Sequence, residues 1–172
     1  MDQRGPMSVL GSLAAVAAPW ANFYNDSAVA QSLVAFGHFG GMIVAGGSAI
    51  TADRGSLQTR QQDDIARRRH LEALPGIHRI VIGALSVTVV SGLLMFAADV
   101  DTLSSSPWFW LKMSLFGLLL VNGWVLRGTE KKLVQVNANP DAMWRRLRRG
   151  AAVSLALWLA VVLAGTLLTN LS

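Results

Sequence analysis

All the basic residues of this chain except Arg4 and Lys112 fall in two short stretches, and each stretch lies between two long apolar runs. The first holds Arg54, Arg60, Arg67, Arg68, Arg69 and Arg79; the second holds Arg127, Lys131, Lys132, Arg145, Arg146, Arg148 and Arg149. Basic residues that flank apolar spans stay on the cytoplasmic side of a membrane. Four runs, residues 28–52, 76–98, 108–126 and 151–171, reach the roughly 20 residues that a bilayer crossing requires. Four crossings put both basic stretches on one face. A backbone in lipid must satisfy its own hydrogen bonds, so the spans read as helices. The expected fold class is all-α: an integral membrane four-helix bundle, with residues 1–172 forming one membrane domain.

Composition agrees. The chain is 52% hydrophobic, and its charge is segregated rather than interspersed. A net charge of +5 raises the question of nucleic acid. The basic residues border apolar spans, however, so the lipid bilayer with its anionic headgroups is the simpler partner, and nucleic acid is not implied. Cysteine is absent, which removes thiolate metal sites, disulfides and a cysteine nucleophile.

With the basic loops in the cytoplasm, the N and C termini lie outside it. The turn over residues 99–107 also lies outside, and it carries Asp99 and Asp101 but no basic residue. Trp108 and Trp110 then mark the outer interface and Trp124 the inner one. Pro107 suits the first turn of a helix, and Ser104, Ser105 and Ser106 are cap candidates. Residues 7–18 are apolar but too short to span. They are expected to form an N-terminal interfacial helix, ending near Pro19. The loop over 53–74 carries Asp63, Asp64, Arg67, Arg68 and Glu72 with helical partners, which predicts a charged helix on the membrane surface. In the second loop Asn137, Asn139 and Pro140 mark a stop, and Asp141 is a candidate cap for the helix that follows.

Inside the spans, polar residues are few. His38 lies about 15 Å deep, near the midplane, counting about 1.5 Å per residue. An ionisable residue at that depth is a functional candidate. Met42 follows one turn later on the same face. Imidazole with thioether suits copper(I) or haem iron, so His38 and Met42 are the candidate metal ligands. Gly37 and Gly41 offer the competing reading, a helix-packing surface on which His38 donates one hydrogen bond across the interface. His78 opens the second span at its cytoplasmic end, about 18 Å from His38 along the axis. Two nitrogens on one metal lie about 4 Å apart, so a shared metal is not expected. His70 reads as a solvated loop residue. Lys112 sits near the outer end of the third span, either snorkelling to headgroups or facing the interior. Asn122 is expected to hydrogen-bond to a neighbouring helix, with His78 or Arg79 as partner. No serine–histidine–acid set, phosphate-cradling loop or paired intramembrane carboxylate is evident, so the chain is not read as an enzyme.

The order of these features resembles a known pattern. A span containing His38-Phe39-Gly40-Gly41 is followed by one ending Ser91-Gly92-Leu93-Leu94-Met95-Phe96. Then come Pro107-Trp108-Phe109-Trp110-Leu111-Lys112-Met113 and Asn122. This is similar to an uncharacterised family of bacterial four-helix inner-membrane proteins, and distantly to the membrane domain of copper-resistance-D-type proteins. The resemblance covers roughly residues 8–128. It implies a multi-pass protein of the bacterial inner membrane and directs attention to His38, Lys112 and Asn122 as ligand-binding candidates. Two functions follow as expectations. One is a small membrane protein binding a metal or haem near His38. The other is a non-catalytic accessory subunit whose glycine-rich first span packs in a homo-oligomer or a larger membrane complex.

Overall fold

In a computed structural model, residues 9–58, 64–134 and 140–171 are described. They form α1 (Val9–Asp26), α2 (Ala28–Gln58), α3 (Asp64–Ala98), α4 (Val100–Ser105), α5 (Pro107–Val134) and α6 (Pro140–Leu171). The fold is an all-α membrane bundle. Helices α2, α3, α5 and α6 are each long and apolar enough to cross a bilayer. Their outward faces carry Phe36, Ile43 and Leu159, each at least 70% exposed. A continuous apolar exterior of this kind is unsuited to water and suits lipid.

Four interfaces hold the bundle. α2 packs on α3, α5 on α6, and α2 on α6, while α1 lies against α3. The α3 and α5 backbones approach at few points. Their side chains meet near the ends, Phe96 stacking on Phe109 and His78 facing Glu130, and between these contacts the ring of helices is open on one side. Small residues let the backbones approach. A β-carbon at Gly41 would lie 2.8 Å from the Ala84 carbonyl and would also strike Thr88 Oγ1, and one at Gly46 would meet the Trp158 ring at 3.4 Å. Ala45, Leu119 and Trp158 form the buried centre, with Ala49, Ala84, Leu85 and Leu157 around it. Packing of this type, not water exclusion, drives helix association in lipid.

The helix ends differ from expectation. α1 continues through Pro19 to Asp26 and is fastened to α3 by Trp20, whose Nε1 donates to the Leu94 carbonyl at 2.8 Å. Ser27 accepts from the Ala30 N–H and starts α2. The expected start of α1 at residues 7–8 lies outside the described residues. The turn over 99–107 contains α4, with the Asp99 carboxylate accepting from the Thr102 N–H at 3.3 Å. Pro107 is the first residue of α5. Ser106, just before it, is extended and buried.

The charged loop over 53–74 is not a separate surface helix. Its two ends are continuations of α2 and α3, while Arg60 and Asp63 lie outside the described residues. So do Asn137 and Asn139, the expected stop of the second loop. The basic end is knitted together from inside. Arg67 is 8% exposed. Its Nη2 lies 3.4 Å from Asp141 Oδ1, its Nη1 3.6 Å from Asp64, and its Cζ 5.2 Å from the Trp144 ring centroid. Trp144, Leu126 and Leu147 are the buried apolar residues of this knot. Arg148 Nη2 donates to the Leu57 carbonyl at 2.9 Å, close to the end of α2. The last carbonyls of a helix lack intrahelical partners, and a basic side chain there supplies one.

Candidate functional site

Two polar regions interrupt the apolar interior. The first is His38. Its Nδ1 lies 3.0 Å from the Thr88 carbonyl and 3.3 Å from Ser91 Oγ, both on α3. The Thr88 carbonyl accepts, so Nδ1 carries the proton in this arrangement. A β-carbon at Gly92 would lie 3.2 Å from His38 Cε1; the ring is wedged between two helices. The positive charge acting on it is that of Lys112. The Lys112 side chain runs along Gly165 of α6, with Nζ 3.6 Å from where a β-carbon would stand, so Lys112 lies over α6. Met42 is half-buried one turn beyond His38.

In these surroundings the Nδ1 of His38 is used within the bundle, against α3. His38 does not itself line either of two cavities of the bundle, although its partner Ser91 lines the second. No cluster of three histidine or carboxylate side chains able to hold a metal occurs among the described residues. Asn122 is also used internally: its Nδ2 donates to the Gly150 carbonyl of α6 at 3.1 Å. The expected partners, His78 and Arg79, are on α3 and are not its acceptor. Three glycines of the first span are occupied by this chain itself. Gly37 faces Val87 and Ser91, Gly41 faces Thr88, and Gly46 faces Trp158.

The second region lies at the basic end, where a cavity of about 250 Å³ opens in the bundle. Its back wall is α2 and α6, through Asp53, Ser154 and Trp158. Its sides are α3 and α5, the two helices that leave the ring open. Val81, Leu85 and Leu119 make the deeper walls apolar. His78, Arg127 and Glu130 stand toward the basic end. His78 Nε2 and Glu130 Oε2 are 3.6 Å apart, both largely buried. Arg127 is exposed and its charge acts on both. Asp53 is 6% exposed. Ser154 hydrogen-bonds to its carboxylate, and among the described residues Oδ2 has no hydrogen-bond partner.

Sequence reasoning missed this region. It counted no acid within a span, because Asp53 and Glu130 follow the apolar runs and stand beside basic residues. The structure corrects that: both are on membrane-crossing helices and face inward. A signal was present. Ala45, Ala49 and Asp53 recur every fourth residue, so Asp53 extends the buried stripe of α2 rather than beginning a loop. His70 is likewise not a solvated residue. Its Nε2 lies 2.9 Å from Ser56 Oγ, and its ring lies beside Trp144.

An unpaired buried carboxylate oxygen is expensive, since an unmade hydrogen bond in the interior leaves the full desolvation penalty. Where such a group persists in a cavity, the arrangement is suited to a donor brought in from outside. The protein is thus a small multi-pass integral membrane protein with an acid-bearing cavity near its basic end. No known family, curated protein or solved structure matches the chain.

Proposed function

We propose that this is a bacterial inner-membrane protein, with its basic end in the cytoplasm and both termini outside, that binds a small ligand within its own bundle. The site is the cavity around Asp53 rather than His38. The unpartnered Asp53 Oδ2 carries this reading. His38 then serves as a cross-helix hydrogen bond that fixes α2 against α3, and Asn122 does the same for α5 and α6. A cavity of about 250 Å³ is below the roughly 300–1,000 Å³ of sites that take drug-sized ligands, so the ligand is small.

Filling the cavity tests the reading. A β-carbon at Gly123 meets nothing within 4 Å, and Gly123 lines the cavity. Native mass spectrometry of the protein released from lipid nanodiscs is expected to show a small bound species. Gly123→Leu is expected to lose it while keeping its helical circular dichroism. No adduct on the wild type, or an adduct retained by the filled variant, would overturn the proposal.

Orientation is tested separately. The chain has no cysteine, so Asp101→Cys should react with an impermeant maleimide on intact cells, and Gln61→Cys only after lysis. The reverse pattern would invert the topology.

A further inference from the structure

Building on the reading of the cavity as a ligand site, we infer that it takes a small amphiphilic ammonium ion. Its charged head meets Asp53 Oδ2 and its apolar part lies against Trp158, Leu85 and Leu119. The charges inside the cavity set the sign of the ligand. Glu130 has the His78 ring 3.6 Å away and is compensated by the positive charge of Arg127. Among the described residues, the group on the Asp53 carboxylate is the neutral Ser154. The uncompensated charge of the interior is therefore negative, and a cation restores neutrality. Arg127 is exposed, so an anion paired with it would stand at the edge of the cavity and not beside Asp53.

The walls decide which cation. Hard metal ions need several oxygen ligands, and among the described residues no group of three histidine or carboxylate side chains is placed to hold one. The cavity that Asp53 lines is otherwise walled mainly by hydrocarbon and an indole, Ala49, Leu85, Leu119 and Trp158 among them. An alkylammonium suits this mixture, because its nitrogen pairs with the carboxylate and its carbon substituents contact apolar surface. The face of a tryptophan attracts such a cation further. Trp158 is held in place by Gly46 and by the central core, so the indole is pre-positioned.

The open side of the ring decides the route. Between their end contacts α3 and α5 do not close on each other. Ile82, Leu120 and Trp124 line the cavity and are exposed on the outer surface, so its rim faces lipid. A ligand that partitions into the bilayer with its charged end at the headgroups reaches Asp53 sideways, without crossing the bundle. The polar side chains lie toward the basic end and the apolar walls deeper, which matches the same amphiphilic order.

Isothermal titration of the detergent-purified full chain with benzylammonium, whose N–H groups can donate to Asp53, beside its uncharged carbon isostere ethylbenzene, tests the inference. Saturable binding of one ammonium ion per chain is expected, with the isostere weaker by roughly tenfold or more. Asp53→Asn should lose roughly the same factor, and Asp101→Asn, at the far end of the bundle, should bind as the wild type does. Equal binding by Asp53→Asn, equal binding of the isostere, or no binding to the wild type would each overturn it. Should Asp53→Asn not fold, thermal melting of the wild type still decides: the ammonium should raise the midpoint with concentration and the isostere should not. If the ammonium fails while the mass-spectrometric adduct persists and disappears in Gly123→Leu, the cavity stands as a ligand site and only the ligand class is overturned.

Discussion

Gly41→Ala is expected to destabilise the bundle by about 3 kcal/mol, at the upper end of what overpacking costs. The added methyl would lie 2.8 Å from the Ala84 carbonyl and 3.1 Å from the Thr88 backbone nitrogen. Neither obstacle is the end of a flexible side chain, so α2 and α3 must separate. Their separation would also lengthen the His38–Thr88 and His38–Ser91 contacts, coupling a packing change to a polar one. Gly40→Ala and Gly47→Ala are internal controls, because a β-carbon at either meets nothing within 4 Å. Each should be neutral or slightly stabilising, since alanine is favoured over glycine in a helix by about 0.5–1 kcal/mol. Unfolding in mixed micelles of rising SDS content, followed by circular dichroism, reads all three. If Gly41→Ala matches the two controls, the α2–α3 interface is wrongly described.

Trp144→Ala should be as severe, about 3–5 kcal/mol for an indole removed from a packed site. Trp144 is 3% exposed and sits between Leu126 and Leu147. It also lies beneath the Arg67 guanidinium and beside the His70 ring. Its loss leaves a void and strands a buried cation whose Nε is already unpartnered. Trp144→Phe should recover much of the loss, because a ring remains for Arg67 to lie over. The same SDS titration, with limited proteolysis at the basic end as a second readout, checks this. An alanine variant as resistant as the wild type would show that the knot contributes little.

The contrast between those two regions shows what the sequence reveals. The spans over 28–52, 76–98, 108–126 and 151–171 all fall within α2, α3, α5 and α6, because hydrophobic length is a property of the local chain. The helix ends were not legible. α2 passes Asp53 and Arg54, and α3 begins before Arg67, since they meet partners on other helices: Arg67 pairs with Asp141, Glu130 lies against His78, and Asp53 turns into the cavity. A sequence reads a charge as solvated unless its partner is nearby in the chain, and Arg67 and Asp141 are 74 residues apart. The same blindness hid the cavity, whose acids come from α2 and α5. Pro19 misled in the other direction. It signals a helix stop, yet α1 passes through it. His38 is half-buried against α3, and its partners there could not be read from α2 alone.

The open side of the helix ring also bears on how the chain is assembled. α2 with α3, and α5 with α6, are neighbours in sequence and pack as two helical hairpins. α4 is only a short link between them. The α2–α6 contact at Gly46 and Trp158 joins the hairpins at the centre of the bundle, and Arg67 of α3 joins them at the basic end through Asp141 and Trp144 of α6. Each hairpin can therefore enter the bilayer as a local unit with short loop closure, and the long-range step is one docking event. Trp158 belongs to that docking surface and to the wall of the cavity. The cavity consequently exists only once the two halves have met, so occupation of the site would strengthen the union of the hairpins themselves.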